Sequence, residues 1–480
     1  MNFRDTMICR ALALLFVALA GCAVGPNYHE PKTAMPANWT EAQQGGITNG
    51  PLTVVQWWTL FNDPILNALA TSAVQSNLDL RVAAARVREA RALRGLAMAD
   101  FFPTGNAHAS YTKTRLSKNA QVFNVPQLTT ELFDAGFDAT WELDIFGGKR
   151  RAFEAASADA EAAEAARRDV LISLLAEVAR NYIEVRGLQH RLIIARDNIR
   201  AQQDAVSITR DRFGAGLTSE LDVTLARTLL ATTQAQMPTL ETALQQSIHR
   251  LGVLLGQPPG ALQAELSTAA PVPATPPEVP VGLPSELLRR RPDVRRAERS
   301  LAAVTARLGQ ATAEFFPKFT LVGTAGLSSL HASDWFTAGS RFWTAGPGVT
   351  WRILDVGQIS SGVRAADARQ QQVLAQYEQT VLTSLEDVEN ALVAYAKEQD
   401  RRRSLAEGVE ASRRAVELAN QLYIQGLTDF LKVLTAEQAL YATQDQLVQS
   451  EQTVSQNLVA LYKALGGGWE SEIGTKVTKQ

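Results

Sequence analysis

The sequence is poor in the residues that chemistry most often needs. Only two of its 480 residues are cysteine, Cys9 and Cys22, and both lie at the extreme N-terminus. The long remainder therefore has no disulfide and no thiol to act as nucleophile or metal ligand. Five histidines (His29, His108, His190, His249 and His331) are scattered, with no pair at the i, i+4 spacing of a helical metal site. There is no G-x-S-x-G string and no phosphate-binding glycine loop, so the sequence points to no enzyme, metal or cofactor. A formal net charge of −2 gives no support for nucleic-acid binding. Beyond the first residues, no stretch reaches the roughly 18 apolar residues of a membrane-spanning helix.

What is present begins at the N-terminus. Arg4 and Arg10 precede a ten-residue apolar run, Ala11 to Ala20, too short to cross a bilayer but suited to a signal peptide. The run closes on Leu19-Ala20-Gly21-Cys22, which resembles the bacterial lipobox and makes Cys22 the expected lipid attachment point. The alternative is an ordinary cleaved signal followed by a chance cysteine. By resemblance to the sorting rule of Gram-negative lipoproteins, Ala23 in place of Asp favours the outer membrane.

The chain also repeats itself. Ala99-Asp100-Phe101-Phe102-Pro103 returns as Ala313-Glu314-Phe315-Phe316-Pro317. Trp141, Gly216 and Leu255-Gly256 return as Trp351, Gly426 and Leu465-Gly466, each 210 positions later (351 − 141, 426 − 216, 465 − 255). Landmarks in one order indicate a tandem duplication. The expected division is a signal peptide at 1–21, an anchored N-terminal segment at 22–70, a first repeat at 71–257 and a second at 286–466. A proline-rich stretch at 258–285 separates the repeats, and a tail occupies 467–480. The proline-rich stretch reads equally as a packed connector or a disordered tether.

Each copy contains period-two segments. Phe133, Ala135, Phe137, Ala139, Trp141 and Leu143 alternate with Asp134, Gly136, Asp138, Thr140 and Glu142. In the second copy Trp343, Ala345, Pro347, Val349, Trp351 and Ile353 alternate with Thr344, Gly346, Gly348, Thr350 and Arg352. Weaker partners are Thr104 to Thr114 and Lys318 to Leu330. Length, end-placed aromatics and a charged opposite face suit transmembrane strands around water, with Asp134, Asp138, Glu142 and Arg352 as lumen candidates. A soluble sandwich alternates too, but four strands cannot bury one here. Nor can four strands close a barrel, so copies must pool them. Two copies give eight strands with a filled interior, and three give twelve with room for a channel.

After each strand pair comes a long proline-free helical pattern. Leu374, Tyr377, Val381, Leu385, Val388, Leu392 and Tyr395 keep three- and four-residue spacing in the second copy. Lys149 to Arg212 as one helix would be roughly 95 Å long. The turns fall at Gly214, Gly216, Leu217 and Thr218, and at Gly426, Leu427 and Thr428, with Thr218 or Thr428 expected to cap the returning helix. A periplasmic coiled-coil tether is the structural alternative, although a tether needs no alternating strands.

The strings VGPNY after the lipobox, WWTLFNDPILNALA, WELDIFGGKRRA, LPSELLRRRPDVRRAE and AEFFPKFTLVG resemble the TolC-like outer-membrane efflux proteins, in particular their NodT/OprM-like lipoprotein branch. That resemblance implies a mixed α and β membrane protein. Its trimer would form a twelve-stranded transmembrane β-barrel, four strands per chain, continued by a long α-helical barrel of coiled-coil hairpins. It implies a passive outer-membrane channel of a tripartite efflux system. The implied partners are two further copies of the chain, outer-membrane lipid, a periplasmic membrane-fusion adaptor and an inner-membrane pump of RND or major-facilitator type. The tip residues become adaptor-contact candidates. Glu220, Asp222, Asp429, Lys432 and Thr435 become candidates for the periplasmic gate. The second tip departs from the family pattern, which often has an acid in a segment like L-L-D-A-Q where this chain reads Val433-Leu434-Thr435-Ala436-Glu437. Lys432 stands where the first copy has Asp222.

Overall fold

The computed structural model describes residues 23–40, 46–48, 56–117, 119, 129–276 and 278–469. The expected signal segment, Cys22 and residues 470–480 lie outside the described residues. In chain order the elements are β1 (Ile47–Thr48), a 3-10 turn (Trp57–Phe61), α1 (Pro64–Ser76), α2 (Leu78–Ala99), β2 (Thr104–Arg115) and β3 (Thr129–Leu143). Then come α3 (Gly148–Gly214), α4 (Glu220–Leu254), β4 (Val279–Pro280), α5 (Leu287–Arg290) and α6 (Pro292–Ala313). The chain closes with β5 (Lys318–Ser329), β6 (Arg341–Thr350), α7 (Val356–Ile424) and α8 (Phe430–Ala464). The duplication is visible in the lengths: α2 and α6 each have 22 residues, α4 and α8 each 35, and α3 and α7 have 67 and 69.

The chain divides into two compact units. The first comprises residues up to Pro31, Val87–Ala163 and Ala297–Tyr377. It carries a four-stranded antiparallel sheet in the order β2-β3-β5-β6, with β2 and β6 as its two edges. The register places Phe133, Ala135, Phe137, Ala139 and Trp141 of β3 opposite Tyr111, Ala109, Ala107 and Gly105 of β2 and Leu327, Ala325, Gly323 and Leu321 of β5. That face is apolar yet uncovered within the chain: Phe137 is 71% exposed and Trp343 78%. Asp134, Asp138 and Thr140 lie on the other face with Ser110, Asn106, Thr104 and Thr324.

The strand expected to run to Ile353 ends at Thr350 instead. Its partner β5 starts at Lys318, and the preceding Pro317 has no N–H to offer the ladder. Residues 351–355 turn, with the Ile353 N–H donating to the Trp351 carbonyl at 3.1 Å. Trp351 Nε1 then donates to the Phe315 carbonyl (3.0 Å), as Trp141 Nε1 does to Phe101 (2.8 Å). The repeated FFP and Trp landmarks are therefore bonded to each other within each copy.

The segment that follows Cys22 is held at the foot of this sheet. Val24 donates from its backbone to the Phe146 carbonyl at 3.1 Å, and Arg151 reaches the Val24 carbonyl (3.2 Å) and Asn27 Oδ1 (2.7 Å). Gly147 has φ +81°, and a Cβ there would fall 2.6 Å from Ala23 Cα, so only glycine permits the approach.

The second unit comprises Lys32–Arg86, Glu164–Arg296 and the chain from Glu378 onward. Its core gathers around Trp57, which is fully buried and stacks on Tyr462 with ring centres 5.8 Å apart. Asp63 caps α1 and also accepts from Tyr182 Oη at 2.6 Å. The buried Arg186 binds Tyr182 Oη, Gln189 and the Thr268 carbonyl. The proline-rich connector is packed where described. Leu262, Leu266, Val279 and Val281 are buried, and Val279 pairs with Ile47 in a two-stranded parallel bridge.

Duplicate joints close each copy of this unit. Asn77 Nδ2 donates to the Leu254 carbonyl (2.8 Å), and Arg291 Nη1 donates to the Ala464 carbonyl (3.1 Å), the position 210 residues on. Both helix ends are followed by a left-handed glycine, Gly256 at φ +66° and Gly466 at φ +73°, as expected of a helix C-terminus. The RRPD string thus serves structure: Arg291 is 8% exposed and ion-paired with Asp293 and Asp387.

One contact in the sheet gives a direct test. Gly136 and Gly326 face each other in register, and a Cβ on Gly326 would meet the Ala135 carbonyl oxygen at 2.4 Å and Gly136 Cα at 2.8 Å. Backbone cannot yield as a side chain can, so overpacking of this kind costs about 1–3 kcal/mol or more. Gly326→Val should lower the fraction of folded protein several-fold, read by heat-modifiable mobility in detergent gels.

Candidate functional site

The polar strand face and the helical tips hold most of the candidate residues. On the strand face, Asp134 and Asp138 flank one histidine that sequence reasoning passed over. His108 Nε2 lies 2.8 Å from Asp134 Oδ1, and Nδ1 lies 3.0 Å from Asp138 Oδ2, the latter without hydrogen-bond alignment. The register explains the meeting. His108 sits opposite Gly136, which has no side chain to fill the space between Asp134 and Asp138. The missing signal was pairing, since i, i+4 spacing is irrelevant to a residue on a strand.

The other two lumen candidates lie lower. Glu142 lines a cavity of about 180 Å³ with Asp100, Asp144, Lys149, Glu314 and Lys318. Lys149 Nζ donates to the Asp100 carbonyl (2.6 Å) and lies 4.0 Å from Glu142. Arg352 falls beyond the end of β6 and pairs with Glu314. It belongs to the foot of the sheet rather than to a strand.

Both tips turn as their glycines demand. Gly216 has φ +73° and Gly426 has φ +77°. The next N–H, on Leu217 or Leu427, closes back on the carbonyl of Arg212 or Leu422 at 2.8 and 2.9 Å. Gly214 remains helical. The caps, however, fall one residue later than expected. Ser219 caps α4 in a capping box with Asp222, and Asp429 caps α8 by accepting from the Lys432 N–H at 3.2 Å. Thr218 donates its hydroxyl to Asp222, and Thr435 bonds back to the Leu431 carbonyl at 2.7 Å. Asp222 and Asp429 therefore finish the helix N-termini of their own chain, where negative charge is favoured. Leu217 and Leu427 project into solvent.

One titratable group near the tips was not selected. Glu437 is 9% exposed, and its Oε2 is buried without a hydrogen-bond partner. Burial pushes its carboxyl up to about 7. The protonated form is the one the fold favours. Its contribution is complete below the ordinary value of 4.5 and is lost as pH rises through about 7. Raising the pH from 5 to 8 should therefore lower the unfolding midpoint of the wild type, by at most about 3 kcal/mol in stability terms. In Glu437→Gln this fall should shrink, as followed by helical circular dichroism on heating. An unchanged pH slope contradicts the assignment.

A sheet with one apolar and one polar face, open at both edges among the described residues, and helices of 67 and 69 residues that each turn back through one of 35, suit a subunit of a membrane channel. The outer membrane efflux protein family model matches residues 69–257 and 283–467, one match to each copy. The chain belongs to this family and is an outer-membrane channel component of an efflux system. It is 33% identical over 456 residues to nodulation protein T of Rhizobium leguminosarum bv. trifolii, covering 94% of this chain and 95% of that protein. It is 32% identical over 459 residues to the solvent efflux pump outer membrane protein SrpC of Pseudomonas putida, covering 94% and 96%. Among solved structures, the outer-membrane channel OprN aligns with a TM-score of 0.89 at 39% identity, over 94% of this chain and all of that one. The CmeC channel of Campylobacter jejuni shares the fold at a TM-score of 0.89 and 20% identity.

Proposed function

We propose that three copies of the chain pool their four strands into one twelve-stranded barrel. Through it, small organic molecules pass to the exterior without energy input from this protein. The observation that carries this reading is the open sheet: among the described residues β2 and β6 each present an unpaired edge, and in lipid an unpaired edge costs several kcal/mol per backbone group. The apolar face suits lipid, and the Asp- and Thr-bearing face suits a wet lumen that three sheets are wide enough to leave open. Relatives named for solvent efflux and pyoverdine export support small organic cargo. The chain itself carries out no catalytic step in this passage.

Cys22 is the proposed acylation site. Ala23, one peptide bond away, is fixed against Gly147 just past the end of β3, within reach of the membrane surface. A periplasmic adaptor is the proposed partner at the tips, where Leu217 and Leu427 offer exposed apolar contacts. Such an adaptor would link the channel to an inner-membrane pump of RND or major-facilitator type. The repeats remain assigned to 71–257 and 286–466.

The gate is proposed to lie among Glu220, Asp222, Asp429, Lys432 and Thr435, where neighbouring chains bring unlike tips together. Lys432 has its backbone N–H in the α8 cap but its side chain outside it, so its charge is available to another chain. Replacing Asp222 and Lys432 together by alanine should raise single-channel conductance in planar bilayers. Ser219→Ala removes the α4 cap, worth about 1 kcal/mol, but keeps both charges and should leave conductance unaltered. Equal conductance and closed-state leakage in the double variant and the wild type sinks the gate.

A further inference from the structure

A cavity of about 370 Å³ opens between α3, α7 and α8, beginning at the second tip, where Ile424 ends α7 and Phe430 starts α8, and reaching Asn198 on α3. Its polar wall is unusual because three of its groups are sealed from solvent and lack hydrogen-bond partners. Both amide atoms of Gln202 are in this state, with the residue only 3% exposed, and so are Tyr423 Oη and Glu437 Oε2. Each helix supplies one of them: Gln202 comes from α3, Tyr423 from α7 and Glu437 from α8. A buried polar atom without a partner costs about 1–3 kcal/mol, and four such atoms around one space call for an occupant.

The wall also limits what that occupant can be. Its charged lining is anionic, from Asp204 and Glu437, and no Lys, Arg or His lines it. Arg212 does not line the cavity; its guanidinium lies 4.7 Å over the ring of Tyr423 and donates to the Ile424 carbonyl at 3.2 Å, with Nε buried and unpartnered. The rest of the lining includes the apolar side chains of Ile208, Val416 and Phe430. Phe430 belongs to the apolar cluster that joins α3, α4, α7 and α8 near the tips. A bare metal ion would leave this apolar wall and most of the volume unused. An anion would meet two carboxylates.

We propose that this cavity binds a small organic ammonium ion. Its charge rests on Glu437, its N–H groups donate to Gln202 Oε1 and Tyr423 Oη, and its apolar part lies against Val416 and Phe430. Because the three polar partners sit on three helices, the occupant ties those helices together beside the tips. The site lies in the wall formed by a single chain and goes beyond the cargo of the duct. Burial also favours the neutral carboxyl of Glu437, so protons and the ammonium ion compete for one group, and binding strengthens as pH rises.

The test uses the full-length protein in detergent, with phenethylammonium as the probe and 2-phenylethanol as its neutral counterpart. Titration is followed by the thermal unfolding midpoint at pH 8 and pH 6. The expected result is a saturable rise with phenethylammonium at pH 8, at least tenfold weaker in apparent Kd at pH 6. The same loss is expected in Glu437→Gln and in Gln202→Leu. Since Kd comes from the concentration dependence, a changed starting stability in either variant does not obscure it. Equal effects of amine and alcohol overturn the proposal. So do equal affinities in wild type and Glu437→Gln, or a structure with the probe that shows only water in the cavity.

Discussion

Everything in this protein follows from two unsatisfied strand edges. A backbone N–H or C=O in hydrocarbon has no water to turn to, so a sheet in a bilayer must close on itself. Four strands cannot close, and the chain ends its sheet at β2 on one side and β6 on the other. Closure has to come from other copies of the same chain. The two faces suit that outcome: aromatic and alanine side chains share one face of the sheet, while Asp134, Asp138 and their threonine neighbours share the other. The constraint extends to the glycines, since Gly136 and Gly326 let β3 and β5 approach while leaving room for His108 beside its two carboxylates.

The duplication supplies matching parts, and the differences between copies show which parts are free to vary. The bonds from Trp141 and Trp351 to the FFP corners are the same in both halves. So are the left-handed glycines after α4 and α8. The joint itself varies in chemistry, an amide at Asn77 and a guanidinium at Arg291, yet each satisfies the carbonyl of an equivalent helix end. The tips vary most. One is capped by serine with Asp222 as its companion, and the other by Asp429 with Lys432 in the duplicate position. Glu437 has no acidic counterpart in the other copy, where the position 210 residues earlier is Arg227.

Much of this was legible in the amino-acid order because it rests on local rules. Period-two alternation located β2, β3 and β5 to within a few residues, and spaced apolar residues located the long helices. Positive-φ glycines marked both tips. What escaped depends on pairing between distant segments. The end of β6 at Thr350 is set by where its partner begins, and Arg352 consequently lies at the foot of the sheet. The caps moved from Thr218 and Thr428 to Ser219 and Asp429 because Schellman closure at Leu217 and Leu427 extends each turn by a residue. His108, Arg186 and Glu437 look ordinary in the sequence. Only the fold sets one between carboxylates, buries another against the connector and strips the third of partners.

The central claim is that β2 of one copy pairs with β6 of the next and that three such junctions complete the ring. It is tested most directly by cross-linking the edges. A single cysteine at Asn106 on β2 is combined with single cysteines placed in turn along β6 from Phe342 to Val349, and membranes are oxidised mildly before denaturing electrophoresis. The account predicts covalent products at alternating β6 positions, in a ladder that ends at three chains. A ladder continuing past three, or no cross-link at any register, contradicts it.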